Sequence, residues 1–358
     1  MKKEQFDKEF DYQEITKENS AGSWKPEGYY IEAYKGNDSE IKIPTKVDGV
    51  KIIEINSLGN NTTLQSIQIP KSVIYTAKSF DGCSGLRDDK GNLVIAGKLL
   101  NVDETATKII VSEGVTEIDK DAVRAETFMP NETIEEVVLP EGLEKISGGA
   151  FGYCKNLKRV YFPESLKEIG YNAFYNCESL EEVSLPEGLK KIGSYAFSGC
   201  KALNKISVSE GTVIEKGAFQ ECAVRDDGFT VVNGIMFNAD LNKIAKSLVV
   251  PDDVKSISCY ACFGPGRVVD EVILTTQVDS IEEDAFTVSG IECFKLIDKA
   301  SGKPVFETEM FSINNGDIQL DYDRMQSLAK MLNLISKKKY KGLKKFGTVN
   351  IGNITLDD

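Results

Sequence analysis

Eight cysteines are spread along the chain, at positions 83, 154, 177, 200, 222, 259, 262 and 293. A thiol can ligate metal, exchange electrons or attack a substrate, and each of these roles needs a partner group. The commonest partner is missing, because the chain has no histidine. That removes Cys–His and Ser–His activation, histidine-ligated zinc and histidine acid–base catalysis. The stretch Cys259-Tyr-Ala-Cys262 has the C-x-x-C spacing of a redox or zinc motif, but no second C-x-x-C completes a site. No G-x-S-x-G, P-loop or dinucleotide fingerprint occurs, and "GPGRVV" at Gly264 lacks the third glycine. The expectation is a protein that is not an enzyme, with no catalytic residue, no metal and no cofactor.

Five of the thiols share one context. "LPEGLEKISGGAFGYC" ends at Cys154, "FPESLKEIGYNAFYNC" at Cys177 and "LPEGLKKIGSYAFSGC" at Cys200, while Cys83 and Cys222 close weaker copies. Pro140, Pro163 and Pro186 are 23 residues apart, and Ser209 stands 23 further on. Weaker copies anchor on Pro44, Pro70, Ser112, Pro251 and Thr275, with a last strand at Ile291–Leu296. A leucine-bearing period of this length is the mark of a leucine-rich-repeat solenoid, whose units are too small to bury their own apolar faces and so stack on one another. In that register Cys259 overlays Ser194 and Cys262 overlays Phe197, which argues against a metal site. The five phrase-ending cysteines read as packed thiols, one per turn, with disulfides between successive turns as the alternative. Cys293 falls on an outward strand position and is the thiol most open to reagents.

Each unit's strand precedes the proline, as in Leu157–Phe162, Leu180–Leu185 and Leu203–Val208. Alternation turns Val160 and Phe162 inward and Lys158, Arg159 and Tyr161 outward. Stacking then sets Glu135 and Glu136 beside Lys158 and Arg159, those beside Glu181 and Glu182, and Lys205 next. One reading is a face neutralised by its own charges. The other is a partner surface made by Lys158, Arg159, Tyr161, Glu181, Glu182 and Lys205. Two longer units hold inserts that both begin Arg-Asp-Asp, at Arg87 and Arg225, 138 positions apart. Each insert reads as a β-hairpin around Ala-Gly or Asn-Gly, and solenoid insertions often form a binding face. Anchors 70 and 209, cysteines 83 and 222, and anchors 112 and 251 are each 139 apart, which points to an internal duplication.

These units resemble the BspA-type (Treponema-type) leucine-rich repeat of bacterial surface proteins, carried by L-P-x-x-L-x-x-I-G-x-x-A-F-x-x-C-x-x-L at 139–208 and by "GYYIEAYKGNDSEIKIPTKVDGVKI" at 28–52. The resemblance covers about three quarters of the chain. It implies a mostly β, right-handed solenoid with a parallel sheet on one side. It also implies adhesion, host contact or protein binding at the bacterial surface, and no catalytic residues.

The expected organisation is an N-terminal cap over 1–27, the solenoid over 28–297 with hairpins near 87–106 and 225–245, and a C-terminal hairpin and helix over 298–358. That last part carries a basic tail of Lys337, Lys338, Lys339, Lys341, Lys344 and Lys345, a candidate anion-binding segment. The net charge of −13 argues against nucleic acid as the main partner. No apolar run approaches the length of a transmembrane helix. The basic start is followed by no apolar stretch and reads as no secretory leader, so a cytoplasmic location stands as the alternative to the surface. The expected function is a binding scaffold for a protein or glycan, with a structural module that docks other domains as the alternative.

Overall fold

The computed structural model describes residues 1–18, 24–103, 105–120, 122–123, 131–223, 225–244, 247–262, 264–275, 277–278, 280–282, 285, 288–297, 300–314 and 317–319. The chain winds as a β-solenoid in which each central turn contributes two short strands to two parallel stacks. The first stack follows the leucine–valine stretches. Lys108–Ile110, Glu136–Val138 and Arg159–Tyr161 pair in register, and Glu182–Ser184 pairs with Lys205–Ser207. The second stack contains Lys98–Asn101, Glu117–Ile118, Lys145–Ile146, Glu168–Ile169, Lys191–Ile192 and Val213–Ile214. Sequence reading expected one sheet and missed this second one, because most of its strands are two residues long and two residues carry no alternation to read.

The proline ends the first strand, and its carbonyl starts the turn. Leu143, Leu166 and Leu189 donate their N–H groups to the carbonyls of Pro140, Pro163 and Pro186 at 3.3, 3.2 and 3.1 Å. Inside, one residue type recurs at each level. Phe151, Phe174, Phe197 and Phe219 are fully buried. Their rings stack in sequence at 5.1, 5.1 and 5.3 Å, with planes within 4° of parallel. Leucine, isoleucine and cysteine fill the space around them. Removing these side chains from water is what favours stacking, at about 1.5–3 kcal/mol for each large apolar group.

Both inserts form hairpins. Leu93–Ile95 pairs antiparallel with Lys98–Asn101, and Phe229–Val232 pairs with Ile235–Ala239. Ala96-Gly97 and Asn233-Gly234 both have positive φ, 51° and 79° in the first and 50° and 77° in the second, as a type I′ turn requires. The hairpins do not project as a binding loop. The second strand of each pairs in parallel with the next turn: Lys98–Asn101 with Glu117–Ile118 in the second stack, and Ile235–Ala239 with Ser256–Ile257 in a separate four-stranded sheet. Leu93, Ile95, Leu99, Phe229, Met236 and Phe237 are buried. The shared Arg-Asp-Asp opening is a structural staple. Arg87 reaches the Gly91 carbonyl at 2.6 Å, and Arg225 pairs with Asp253 at 2.7 Å and Asp227 at 2.8 Å.

At the N-terminal end, a helix at Lys3–Glu9 and the antiparallel strands Phe10–Glu18 and Trp24–Tyr34 close the stack. Phe6 and Phe10 are buried there, and Phe6 lies against Tyr12 and Tyr29. At the other end, Val288–Ile297 continues the parallel pairing and Pro304–Asn314 returns antiparallel. The helix expected beyond residue 320 and the six lysines of the tail lie outside the described residues.

Candidate partner-binding face

Within Arg159–Tyr161 only the middle residue turns in. Arg159 is exposed, Val160 is buried and Tyr161 keeps 50% of its surface. Lys158, Glu181, Glu182 and Lys205 are exposed as well, so all six expected partner residues lie on the outward side of the first stack. Their charges alternate from turn to turn in three columns. Glu135, Lys158 and Glu181 form one, and Glu136, Arg159, Glu182 and Lys205 the next. Glu132, Lys155, Glu178 and Lys201 form the third.

The alternation produces ion pairs, but unevenly. On one side of the centre, Lys158 meets Glu135 at 2.8 Å, Lys155 meets Glu132 at 3.9 Å and Lys108 meets Glu136 at 2.6 Å. On the other, Lys205 meets Glu182 at 3.6 Å and Lys201 meets Glu178 at 3.3 Å. Among the described residues, no ion pair joins Lys155, Lys158 or Arg159 to Glu178, Glu181 or Glu182. The strand ladder of the first stack is interrupted at the same level, where Arg159–Tyr161 and Glu182–Ser184 belong to separate sheets. The turns are joined there by the N–H groups of Glu181 and Ser179 on the carbonyls of Lys158 and Lys155, at 3.4 and 3.1 Å. Among the described residues, Arg159 has no carboxylate partner, since Lys108 holds Glu136 and Lys205 holds Glu182.

Two positions along from these charges, Ile110, Val138 and Tyr161 align across three paired strands. Ile110 is 42% exposed. The next two strands carry Ser184 and Ser207 at this position, so the apolar row is local.

The seven described thiols are packing groups. Cys154, Cys177, Cys200 and Cys222 are wholly buried or nearly so. Cys83, Cys154, Cys177, Cys200, Cys222, Cys259 and Cys262 are all free thiols. The C-x-x-C pair does not assemble a centre. Cys259 Sγ lies 3.7 Å from the Tyr195 hydroxyl and Cys262 is buried in the core. Burial pushes both thiols up, away from the thiolate that metal or redox chemistry needs. Among the described residues, no group of three or more cysteine and carboxylate side chains is placed to hold a metal. The Cys293 side chain lies outside the described part. Asn61 and Asn131 each close a turn: Asn61 Oδ1 accepts from the N–H groups of Thr63 and Leu64, and Asn131 Oδ1 from those of Thr133 and Ile134.

Comparison with known proteins agrees with this architecture. The family described as BspA type Leucine rich repeat region matches in 6 copies, over residues 30–124, 121–236 and 235–322. The chain belongs to this family. Family members are repeat scaffolds, associated in general with protein binding or surface roles and typically not enzymes. A leucine-rich-repeat protein from Treponema pallidum is 26% identical, covering 60% of this chain and 87% of that one, with a TM-score of 0.31. A leucine-rich cell surface protein from Faecalibacterium prausnitzii is 16% identical, covering 78% and 74%, with a TM-score of 0.34. The pneumococcal vaccine antigen PcpA is 21% identical, covering 79% and 68%, with a TM-score of 0.35. A search of curated proteins gave no match. Among the described residues, no helix of this BspA-type chain is long and apolar enough to cross a membrane.

Proposed function

We propose that the protein is a non-enzymatic binding scaffold that meets a protein partner at the cell surface through the outward face of the first stack. The observation that carries this reading is the Ile110–Val138–Tyr161 row beside Arg159, which no carboxylate among the described residues engages. In a stack whose outward positions are mostly charged, three aligned apolar residues gain most when water leaves them. Tyrosine and arginine are also the side chains that protein interfaces favour. A glycan is the second ligand class, favoured by the half-exposed Tyr161 ring. The ion pairs on both sides of the face favour the alternative, a structural module with no ligand of its own.

Arrays of purified surface proteins and glycans, probed with the labelled full chain and with a Lys158→Glu/Arg159→Glu/Tyr161→Ala variant, test the proposal. Proteins that bind the natural chain and lose at least tenfold in affinity for the variant support it, provided both chains melt at the same temperature. Binding that the variant retains in full moves the site elsewhere. Signals confined to glycans select the second class.

A further inference from the structure

The charges on this face have a symmetry that bears on what kind of protein docks there. Take the level between Arg159 and Glu182 as a centre. In all three columns the turn before it is basic, with Lys155, Lys158 and Arg159, and the turn after it is acidic, with Glu178, Glu181 and Glu182. One turn further out the signs invert, to Glu132, Glu135 and Glu136 on one side and Lys201 and Lys205 on the other, with the neutral Asn204 between them. The pattern is therefore antisymmetric about the centre, which among the five levels from Lys108 to Lys205 is the one that ion pairs and strand pairing between described residues both skip.

We infer that the partner this face fits is a second copy of the chain, docked face to face about a two-fold axis that runs parallel to the strands through that level. The inference rests on the reading of this face as a partner surface. The rotation sets Lys158 opposite Glu181 of the second copy, Arg159 opposite its Glu182, and Glu136 opposite its Lys205. Each contact occurs twice, as an isologous interface requires. A two-fold along the solenoid axis would instead lay each level on itself and set Arg159 against Lys158, like on like. The charges select one geometry and oppose the other, which is the main contribution of electrostatic complementarity at interfaces. Tyr161 sits beside the axis and supplies apolar area at the centre of the contact. Five levels from Lys108 to Lys205, at ~4.8 Å each, span ~19 Å. A footprint of that length falls at the small end of specific interfaces, and a contact held by opposed charges weakens as salt screens them.

Sedimentation equilibrium of the full chain, at low and high salt, reads this directly. The decisive comparison uses two variants, Lys158→Glu/Arg159→Glu and Glu181→Lys/Glu182→Lys. Each sets like charge on like across the proposed axis and is expected to dimerise at least tenfold more weakly than the natural chain. Mixed one to one, they restore every opposition and are expected to form a heterodimer at least as tight as the natural dimer. Damage to either fold could not produce that recovery. A natural chain that stays monomeric at the highest concentration overturns the inference, as do variants that dimerise normally or a mixture that remains monomeric. If self-association fails while array partners are still lost with the triple variant, the face remains a partner surface and only the second copy is rejected.

Discussion

Cys177 Sγ donates a hydrogen bond to the carbonyl oxygen of Phe151, 3.2 Å away in the preceding turn. Cys200 does the same to Phe174 at 3.3 Å and Cys222 to Phe197 at 3.2 Å. Cysteine at these three positions is thus more than a small apolar residue. It is a donor that ties one turn to the turn before it, in a place too dry for water to satisfy the carbonyl's second lone pair.

The bond needs the proton to stay on sulfur. Burial pushes the thiols of Cys177, Cys200 and Cys222 well above their ordinary value. In the unfolded chain these groups ionise near the usual thiol pKa, about 8.5, while in the native protein they remain neutral. Above that pH the unfolded state holds fewer protons than the native state, so stability falls as pH rises. Each buried thiol contributes a slope of up to about 1.4 kcal/mol per pH unit. Urea midpoints measured from pH 7 to 10 are expected to be level at first and then to decline, with a shallower decline in Cys177→Ala/Cys200→Ala. At pH 7 that variant loses about 1–2 kcal/mol per site, from the missing bond and the space left behind. A decline of unchanged slope would mean that other groups set the alkaline limit.

The glycine after the second-strand isoleucine reports a close approach. A Cβ on Gly193 would lie 2.7 Å from the nitrogen of Tyr171 and 2.8 Å from the carbonyl carbon of Gly170, both backbone atoms of the preceding turn. That turn cannot retreat without loss of the 2.8 Å bond from the Gly193 N–H to the Ile169 carbonyl. Gly193→Ala is therefore expected to cost about 2–3 kcal/mol, as overpacking does. Gly142→Ala is the control. Gly142 has a φ of 90° but open space around it, so alanine there meets only the backbone cost, about 1–2 kcal/mol. Urea midpoints that fall further for Gly142→Ala than for Gly193→Ala would refute the packing argument.

The repeat made the first strands, the proline turns, the inward Phe–Cys column and both hairpins legible, because each rests on spacing and on residues with a strong backbone or burial preference. The outward direction of Lys158, Arg159, Tyr161, Glu181, Glu182 and Lys205 was legible for the same reason, since alternation assigns sides without knowledge of contacts. The second stack was not legible, because Glu168–Ile169 and its equivalents are too short for a period. Nor was the burial of the hairpins, which depends on Leu99 and Phe237 meeting the core from a strand that sequence alone cannot place in a sheet. The break between Arg159 and Glu182 was hidden too: charges that alternate in sequence say which neighbours could pair, and only geometry shows which of them do.

One column departs from the alternation, and it carries a prediction of its own. Glu113, Glu141, Glu164, Glu187 and Glu210 each follow the residue that ends a first strand, and all five are exposed. Among the described residues, no ion pair engages any of them, and one contact within the column is a 3.3 Å hydrogen bond from the Glu164 N–H to Glu141 Oε1. Like charges one turn apart, at a strand spacing of about 4.8 Å, repel through water; the Debye length is about 10 Å at 0.1 M and about 3 Å at 1 M, so only concentrated salt screens a pair this close. Glu187 stands between Glu164 and Glu210, so Glu187→Lys turns two repulsions into attractions, whereas Glu187→Gln only deletes them. The lysine variant is expected to melt above the natural chain at low salt and the glutamine variant at an intermediate temperature. All three should converge near 1 M salt, where screening is almost complete. Thermal melts across a salt series give the answer: a gain that persists at high salt would assign the effect to helix or turn propensity, and no gain at low salt would mean that solvent already screens the column.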